Sequence, residues 1–113
     1  MRITDLLRPE AIQLHASLSD KASAIDLLVD LHAKAGNIND KEAYKKEIWA
    51  REELDSTAVG DGVAVPHARC AAVNRASLAA ITVPQGLDYD SPDGEPSRLF
   101  FMIAAPEGGG DVH

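Results

Sequence analysis

Several residue types that mark particular classes of protein are scarce in this sequence. Of 113 residues only Cys70 is a cysteine, which excludes a disulfide within the chain and fits the reducing cytoplasm. Aromatic residues make up 4% of the chain, so aliphatic residues must supply most of the core. The first residues lack the apolar segment of a signal peptide, and no apolar run approaches the roughly 18 residues of a membrane span. We therefore expect a cytoplasmic domain.

Positive charge is also scarce. The chain has 11 Lys and Arg against 18 Asp and Glu, a net charge of −7, which argues against nucleic acid or an anionic membrane as a partner. Its length allows one domain, and 45% hydrophobic residues are enough for a core.

Motifs for several kinds of chemistry are missing. There is no G-x-S-x-G nucleophile elbow and no glycine pattern typical of nucleotide binding. The four histidines, His15, His32, His67 and His113, lie far apart, and only Cys70 follows one of them closely. A lone H-x-x-C pair is a weak metal signal, so we expect neither a metal nor another cofactor.

Two amphipathic helices are predicted in the first half of the chain. Ser19 or Asp20 can cap a helix over residues 21–35, in which His32 is interpreted as structural, with a positive charge favoured near the helix end. Asn39 has the spacing of a capping box for a second helix that runs to about residue 53. Its charged side chains are interpreted as a solvated face, with Arg51 set apart as a possible functional group.

Strands are predicted between and after these helices, at residues 11–15, 63–65, 77–83 and 99–105. Pro84 should end the third, and the last is so uniformly apolar that we expect it to be buried on both faces. Interspersed helices and strands predict an α/β class with a mixed sheet.

Residues 60–69, Gly-Asp-Gly-Val-Ala-Val-Pro-His-Ala-Arg, form the most informative stretch. The glycines permit a tight turn, and Pro66 stiffens the backbone that leads to His67. A neutral imidazole can act as a nucleophile towards phosphorus. These residues alone leave two interpretations of His67 open, a phosphoryl acceptor or a structural histidine.

The stretch also carries a resemblance. Together with Arg51-Glu52-Glu53, the Ser56-Thr57 pair and the later segments at 86–94 and 99–106, it resembles the fructose/mannitol-type enzyme IIA domains of the bacterial phosphoenolpyruvate:sugar phosphotransferase system, closest to the fructose branch. The resemblance covers essentially all 113 residues. It implies a mixed sheet of about five strands with helices on both faces. It also implies further C-terminal helices missing from this chain, and continuation of the parent chain into IIB and membrane IIC domains.

The resemblance assigns roles to five residues. His67 corresponds to the active histidine, which accepts a phosphoryl group from phospho-HPr and passes it to an enzyme IIB domain, for sugar uptake, with fructose as the expected sugar. His113 and Arg51 correspond to groups that we interpret as clamps on the phosphoryl oxygens. Ser56 and Thr57 stand where they can orient the imidazole or the phosphate. The expected alternative is a nitrogen-regulatory enzyme IIA, in which the same phosphohistidine controls binding to target proteins.

Overall fold

The computed structural model describes residues 2–108, which form a six-stranded mixed sheet with helices packed against it. This confirms the predicted α/β class, with one strand more than expected. The elements in chain order are α1 (Ile3–Leu6), β1 (Leu7–Gln13), α2 (Lys21–Lys34), α3 (Lys41–Leu54), β2 (Ala58–Gly60), β3 (Val63–Ala64), β4 (His67–Cys70), β5 (Ser77–Leu87) and β6 (Ser97–Pro106).

The sheet is arranged around β6. The strand order is β1-β5-β6-β3-β2, and β4 also pairs with β6. The β1–β5, β3–β6 and β4–β6 pairs are parallel, whereas β5–β6 and β2–β3 are antiparallel. Two short strands, β3 and β4, therefore run one after the other along the same edge of β6.

The caps of the two long helices explain where they begin. Asp20 caps α2 as predicted, since its side chain accepts a hydrogen bond from Ser23 N at 2.8 Å. The predicted cap of α3 is wrong by one residue: Asp40 caps it, and Oδ1 accepts from Ala43 N at 3.1 Å. Asn39 instead donates from its side chain to Asn74, which fixes it to the loop before β5.

Burial along β6 corrects the prediction of a strand buried on both faces. Phe100, Met102 and Ala104 are fully buried, but Phe101 between them is half-buried and Ile103 is 38% exposed. The alternation shows that, within residues 2–108, one face of β6 is closely packed and the other is more open.

The side chain of His32 connects α2 to the sheet. Its Nε2 lies 3.0 Å from the Met102 carbonyl oxygen, and its Nδ1 lies 3.0 Å from the side-chain nitrogen Nδ2 of Asn37. Burial lowers the pKa of His32 to about 4, so the ring is neutral at physiological pH. The structural role is confirmed, whereas the predicted positive charge is wrong because the ring is enclosed.

Two prolines, Pro84 and Pro66, have different effects on the strands around them. β5 continues through Pro84 to Leu87, contrary to the prediction, because the pairing with β6 is irregular between Thr82 and Leu87 and does not require the missing N–H. Pro66, in contrast, stands in the gap between β3 and β4.

That gap determines where His67 emerges. The β2–β3 hairpin turns at Asp61 and Gly62, whose φ angles of 56° and 80° are typical of a type I′ turn. After β3 the chain leaves the β6 ladder at Val65 and Pro66, and it rejoins at the pair His67–Ile103. His67 is thus the first residue of β4, and the backbone leading to it is held by pairing with β6 both before and after the gap.

Candidate active site

His67 is half-buried at the start of β4, and one of its ring nitrogens is already bonded to the backbone. Its Nδ1 lies 2.9 Å from the carbonyl oxygen of Val65. A carbonyl oxygen only accepts, so in the neutral ring Nδ1 carries the proton and Nε2 keeps its lone pair. The backbone therefore selects the tautomer with a nucleophilic Nε2.

Val65 and Pro66 are themselves held by neighbouring strands. Val65 N donates to the Thr57 carbonyl oxygen at 3.0 Å, and Ile103 N donates to the Pro66 carbonyl oxygen at 2.9 Å. The carbonyl group that orients the imidazole thus belongs to a segment fixed from both sides.

Two shallow clefts, of about 310 and 330 Å³, meet at His67 and Arg51, which line both of them. The first is completed by the end of α3 and by residues of β4, among them Leu54 and Arg69. The second is completed by the segment from Ser56 to Val59, with Val65 and Ile103. The structure therefore brings together the predicted histidine and the predicted arginine.

Arg51 lies in the last turn of α3 and is half-buried. Its Nη1 donates to the Asp55 carbonyl oxygen at 2.9 Å, which satisfies a backbone acceptor just past the helix end. A guanidinium group has five N–H donors, so this bond leaves donors for an anion in the clefts.

The hydroxyl groups of Ser56 and Thr57 donate to acceptors within the protein. Ser56 Oγ donates to the Tyr89 carbonyl oxygen and accepts from Ala58 N at 3.1 Å. Thr57 is buried, and both its N–H and its hydroxyl donate to the carboxylate of Glu52. Both residues thus fix the segment beside His67, and neither hydroxyl donates to the imidazole.

Glu52 is the residue of this region whose environment the sequence interpretation got wrong. The prediction of a solvated charged face on α3 is wrong for Glu52, which is 6% exposed and accepts hydrogen bonds from Thr57 and Tyr89. The signal was present, since Tyr44, Ile48 and Glu52 recur every four residues and all three are buried.

His113, the predicted companion histidine, lies outside the described residues. Within residues 2–108, no cluster of three or more His, Cys, Asp or Glu is placed to hold a metal ion. No helix in that range combines the length and hydrophobicity needed to span a bilayer.

The fold and the site together define an α/β domain that presents one histidine at the start of a strand, beside an arginine. Comparison with known proteins identifies the family: residues 5–113 match the model of the phosphoenolpyruvate-dependent sugar phosphotransferase system, EIIA 2. The chain belongs to this family, as the sequence resemblance predicted, and the family implies phosphotransferase activity in general terms.

Two relatives fit the fructose branch. The chain is 43% identical over 113 residues to the fructose-specific EIIABC component of Bacillus subtilis. The match covers all of this chain and only 18% of the length of that protein. It is 36% identical over 116 residues to the fructose-specific EIIA component of Haloferax volcanii, covering all of this chain and 75% of that protein.

Solved structures support the same fold. The nitrogen regulatory protein IIA-Ntr of Neisseria meningitidis superimposes with a TM-score of 0.87 at 31% identity, over 98% of this chain and 75% of that one. The mannitol enzyme IIA of Escherichia coli, solved in complex with phosphorylated enzyme IIB, gives a TM-score of 0.79 at 24% identity, over 94% and 76% of the two chains.

Proposed function

We propose that this chain is a phosphohistidine carrier of the fructose branch. His67 Nε2 attacks the phosphorus atom of phospho-HPr, so that a new P–N bond forms as the P–N bond of the donor histidine breaks. The phosphoryl group then leaves His67 for a cysteine of an enzyme IIB domain, and the imidazole returns to its starting form. No cofactor is required, because the phosphoryl group passes between side chains.

One observation carries this proposal, the 2.9 Å contact between His67 Nδ1 and the Val65 carbonyl oxygen. It keeps the proton on Nδ1 and directs the Nε2 lone pair away from that bond. When Nε2 is phosphorylated, the same carbonyl still accepts from Nδ1–H and stabilises the product. The contact therefore suits both states of a carrier.

Arg51 and His113 are proposed as clamps on the phosphoryl oxygens. Arg51 is supported by the two clefts that it shares with His67. Positive charge held there offsets the negative charge of the transferring group, which spreads over its oxygens. The role of His113 stays a prediction from the resemblance.

The surroundings of His67 favour a protein as the partner over a small molecule. Leu54 is 81% exposed and Val59 64% exposed, and each lines one of the clefts beside His67. Exposed apolar side chains around a shallow site are typical of surfaces that bind other proteins. Phospho-HPr and enzyme IIB are the proposed partners, in the cytoplasm, with a membrane IIC domain involved only indirectly. It stays a prediction that residues 1–113 are one IIA domain of a longer IIA-IIB-IIC chain.

The test is to incubate the chain with phosphoenolpyruvate, enzyme I and HPr and to map the acid-labile phosphate. Label on His67 is expected, and none in His67→Ala. His15→Asn is the matched control, because His15 is exposed and has φ of 58°, a conformation that asparagine tolerates. Equal label in His67→Ala and in the control would refute the proposal.

A regulatory carrier of the nitrogen-related type is the second candidate, favoured by the likeness to the Neisseria meningitidis protein. Presenting the phosphorylated chain to a fructose-type IIB domain separates the two. Rapid transfer to the IIB cysteine supports the transport role, whereas retention of the phosphate on His67 supports the regulatory one.

A further inference from the structure

We infer that Glu52 is a positioning residue for His67, acting through Thr57 and Val65. The inference rests on the proposed function, since it concerns the histidine that receives the phosphoryl group. It assigns a role in the site to a carboxylate that does not touch His67.

Glu52 is held by four donors. Oε1 lies 3.2 Å from Thr57 N and 3.1 Å from Lys21 Nζ, while Oε2 accepts from the Thr57 hydroxyl and, at 3.1 Å, from the Tyr89 hydroxyl. Its side chain is 2% exposed. A carboxylate bonded on both oxygens in a buried site has little freedom to move, so it can act as a fixed point for the groups bonded to it.

The connection from Glu52 to the imidazole is continuous. Thr57 donates both of its polar hydrogens to Glu52, and its carbonyl oxygen accepts from Val65 N at 3.0 Å. The carbonyl oxygen of Val65 in turn lies 2.9 Å from His67 Nδ1. Each of these residues therefore restricts the position of the next residue in the series from Glu52 to His67.

Thr57 needs this support because of where it lies. It falls between the end of α3 and the start of β2, and the pairing of β2 with β3 is irregular. Bonds from Glu52 replace the regular strand pairing that would otherwise fix the segment. Without them, the Thr57 carbonyl oxygen, and with it the Val65 backbone, would have more than one position.

The competing explanation is that Glu52 contributes only to stability, as a buried carboxylate paired with Lys21. The two explanations differ in what happens at the ring of His67. A positioning role predicts a change in the His67 tautomer and in the rate of phosphoryl acceptance in molecules that remain folded. A purely structural role predicts neither.

The experiment compares Glu52→Gln, Thr57→Val and Thr57→Ser with the unaltered chain. Thr57→Val removes the hydroxyl bond to Glu52 at nearly constant volume, whereas Thr57→Ser loses the methyl group and keeps the hydroxyl. Asn37→Ala is the stability control, because it disturbs a different buried contact, the one to His32. Two quantities are measured on folded protein: the ring ¹⁵N shifts of His67, which report the tautomer, and the single-turnover rate of phosphoryl acceptance from phospho-HPr.

For Glu52→Gln and Thr57→Val we expect a mixed tautomer and a rate lowered by about tenfold or more, as for other misplaced reacting groups. Thr57→Ser should recover both values, and Asn37→Ala should keep both at the unaltered level. Unchanged tautomer and rate in folded Thr57→Val would overturn the inference, even if Glu52→Gln failed to fold. If the unaltered chain accepted no phosphate on His67, the proposed function would fall, while the ring shifts would still decide whether Glu52 positions the imidazole.

Discussion

The guanidinium group of Arg51 donates to the carbonyl oxygen of Asp55, four residues later, while the same side chain lines both clefts at His67. One residue thus closes the end of α3 and brings positive charge to the clefts beside His67. Because the backbone bond restricts the side chain, the proposed function would find this charge in place before a phosphoryl group arrived, which lowers the cost of organising the site.

Replacing Arg51 with alanine is expected to slow phosphoryl transfer from His67 by about a hundredfold, a loss of the size found when one donor to a developing negative charge is removed. Arg75→Ala is the matched control, since Arg75 Nη2 donates to the Ala35 carbonyl oxygen at the end of α2. Both variants lose one bond at a helix end, so their unfolding free energies should fall by similar amounts, about 1 kcal/mol.

Rapid-quench transfer to a IIB domain and urea denaturation measure these two effects. If Arg51→Ala transferred phosphate as fast as Arg75→Ala, Arg51 would be only a helix cap.

The sequence predicted those parts of the fold that depend on local pattern. The caps and periodicity indicated α2 and α3, and the apolar runs indicated the central strands. Two short strands, β2 with three residues and β4 with four, were missed because so few residues carry too little periodicity to be distinguished from a turn. β4 exists because it pairs with β6, a contact more than thirty residues away in the chain.

For the site, the sequence supplied His67 and, through resemblance, Arg51, which the structure places on the same clefts. It did not supply the environment of Glu52. A glutamate among seven other charged residues of α3 looks solvated, and its burial depends on Thr57, Tyr89 and Lys21 arriving from three other segments. Such convergence is a tertiary property that local patterns do not encode.

The two tyrosine hydroxyls offer a test of the Glu52 cluster by stability alone. Tyr89 donates to the buried carboxylate of Glu52 at 3.1 Å, and Tyr44 donates to the neutral carbonyl oxygen of Ile103 at 3.0 Å. Hydrogen bonds to charged groups contribute more, so Tyr89→Phe should cost roughly 2 kcal/mol and Tyr44→Phe roughly 1 kcal/mol. Urea denaturation of both variants measures the difference. An equal or reversed order would show that Glu52 does not depend on the Tyr89 hydroxyl.

A second pair of variants tests two glycines, one near the end of β5 and one in the loop between β5 and β6. Gly86 and Gly94 have nearly equal φ angles, 77° and 74°, but a Cβ on Gly86 would lie 2.8 Å from Pro96 Cβ, whereas one on Gly94 would meet no atom within 4 Å. Gly94→Ala should therefore cost only the backbone strain, about 1 kcal/mol. Gly86→Ala adds a steric clash and should cost about 2 to 4 kcal/mol. Similar midpoints of thermal unfolding for the two variants would contradict this geometry.

The enclosed ring of His32 makes stability depend on pH in a defined direction. Its pKa is lowered from the ordinary value of 6.5 to about 4, because burial removes the hydration of the charged form. As pH falls below about 6.5 the unfolded chain takes up a proton that the folded chain refuses, so the free energy of unfolding decreases until about pH 4. The full decrease due to this group is roughly 3 kcal/mol.

His32→Gln should remove this contribution, so that the difference in unfolding free energy between the unaltered chain and the variant shrinks as pH falls from about 7 to about 4.5. His15→Asn serves as the control, because it removes a histidine that is exposed rather than enclosed. Urea denaturation across this range measures all three proteins. Parallel curves for the unaltered chain and His32→Gln would mean that the ring takes up its proton in the folded state as easily as in water, which its burial and the Asn37 side-chain nitrogen facing Nδ1 argue against.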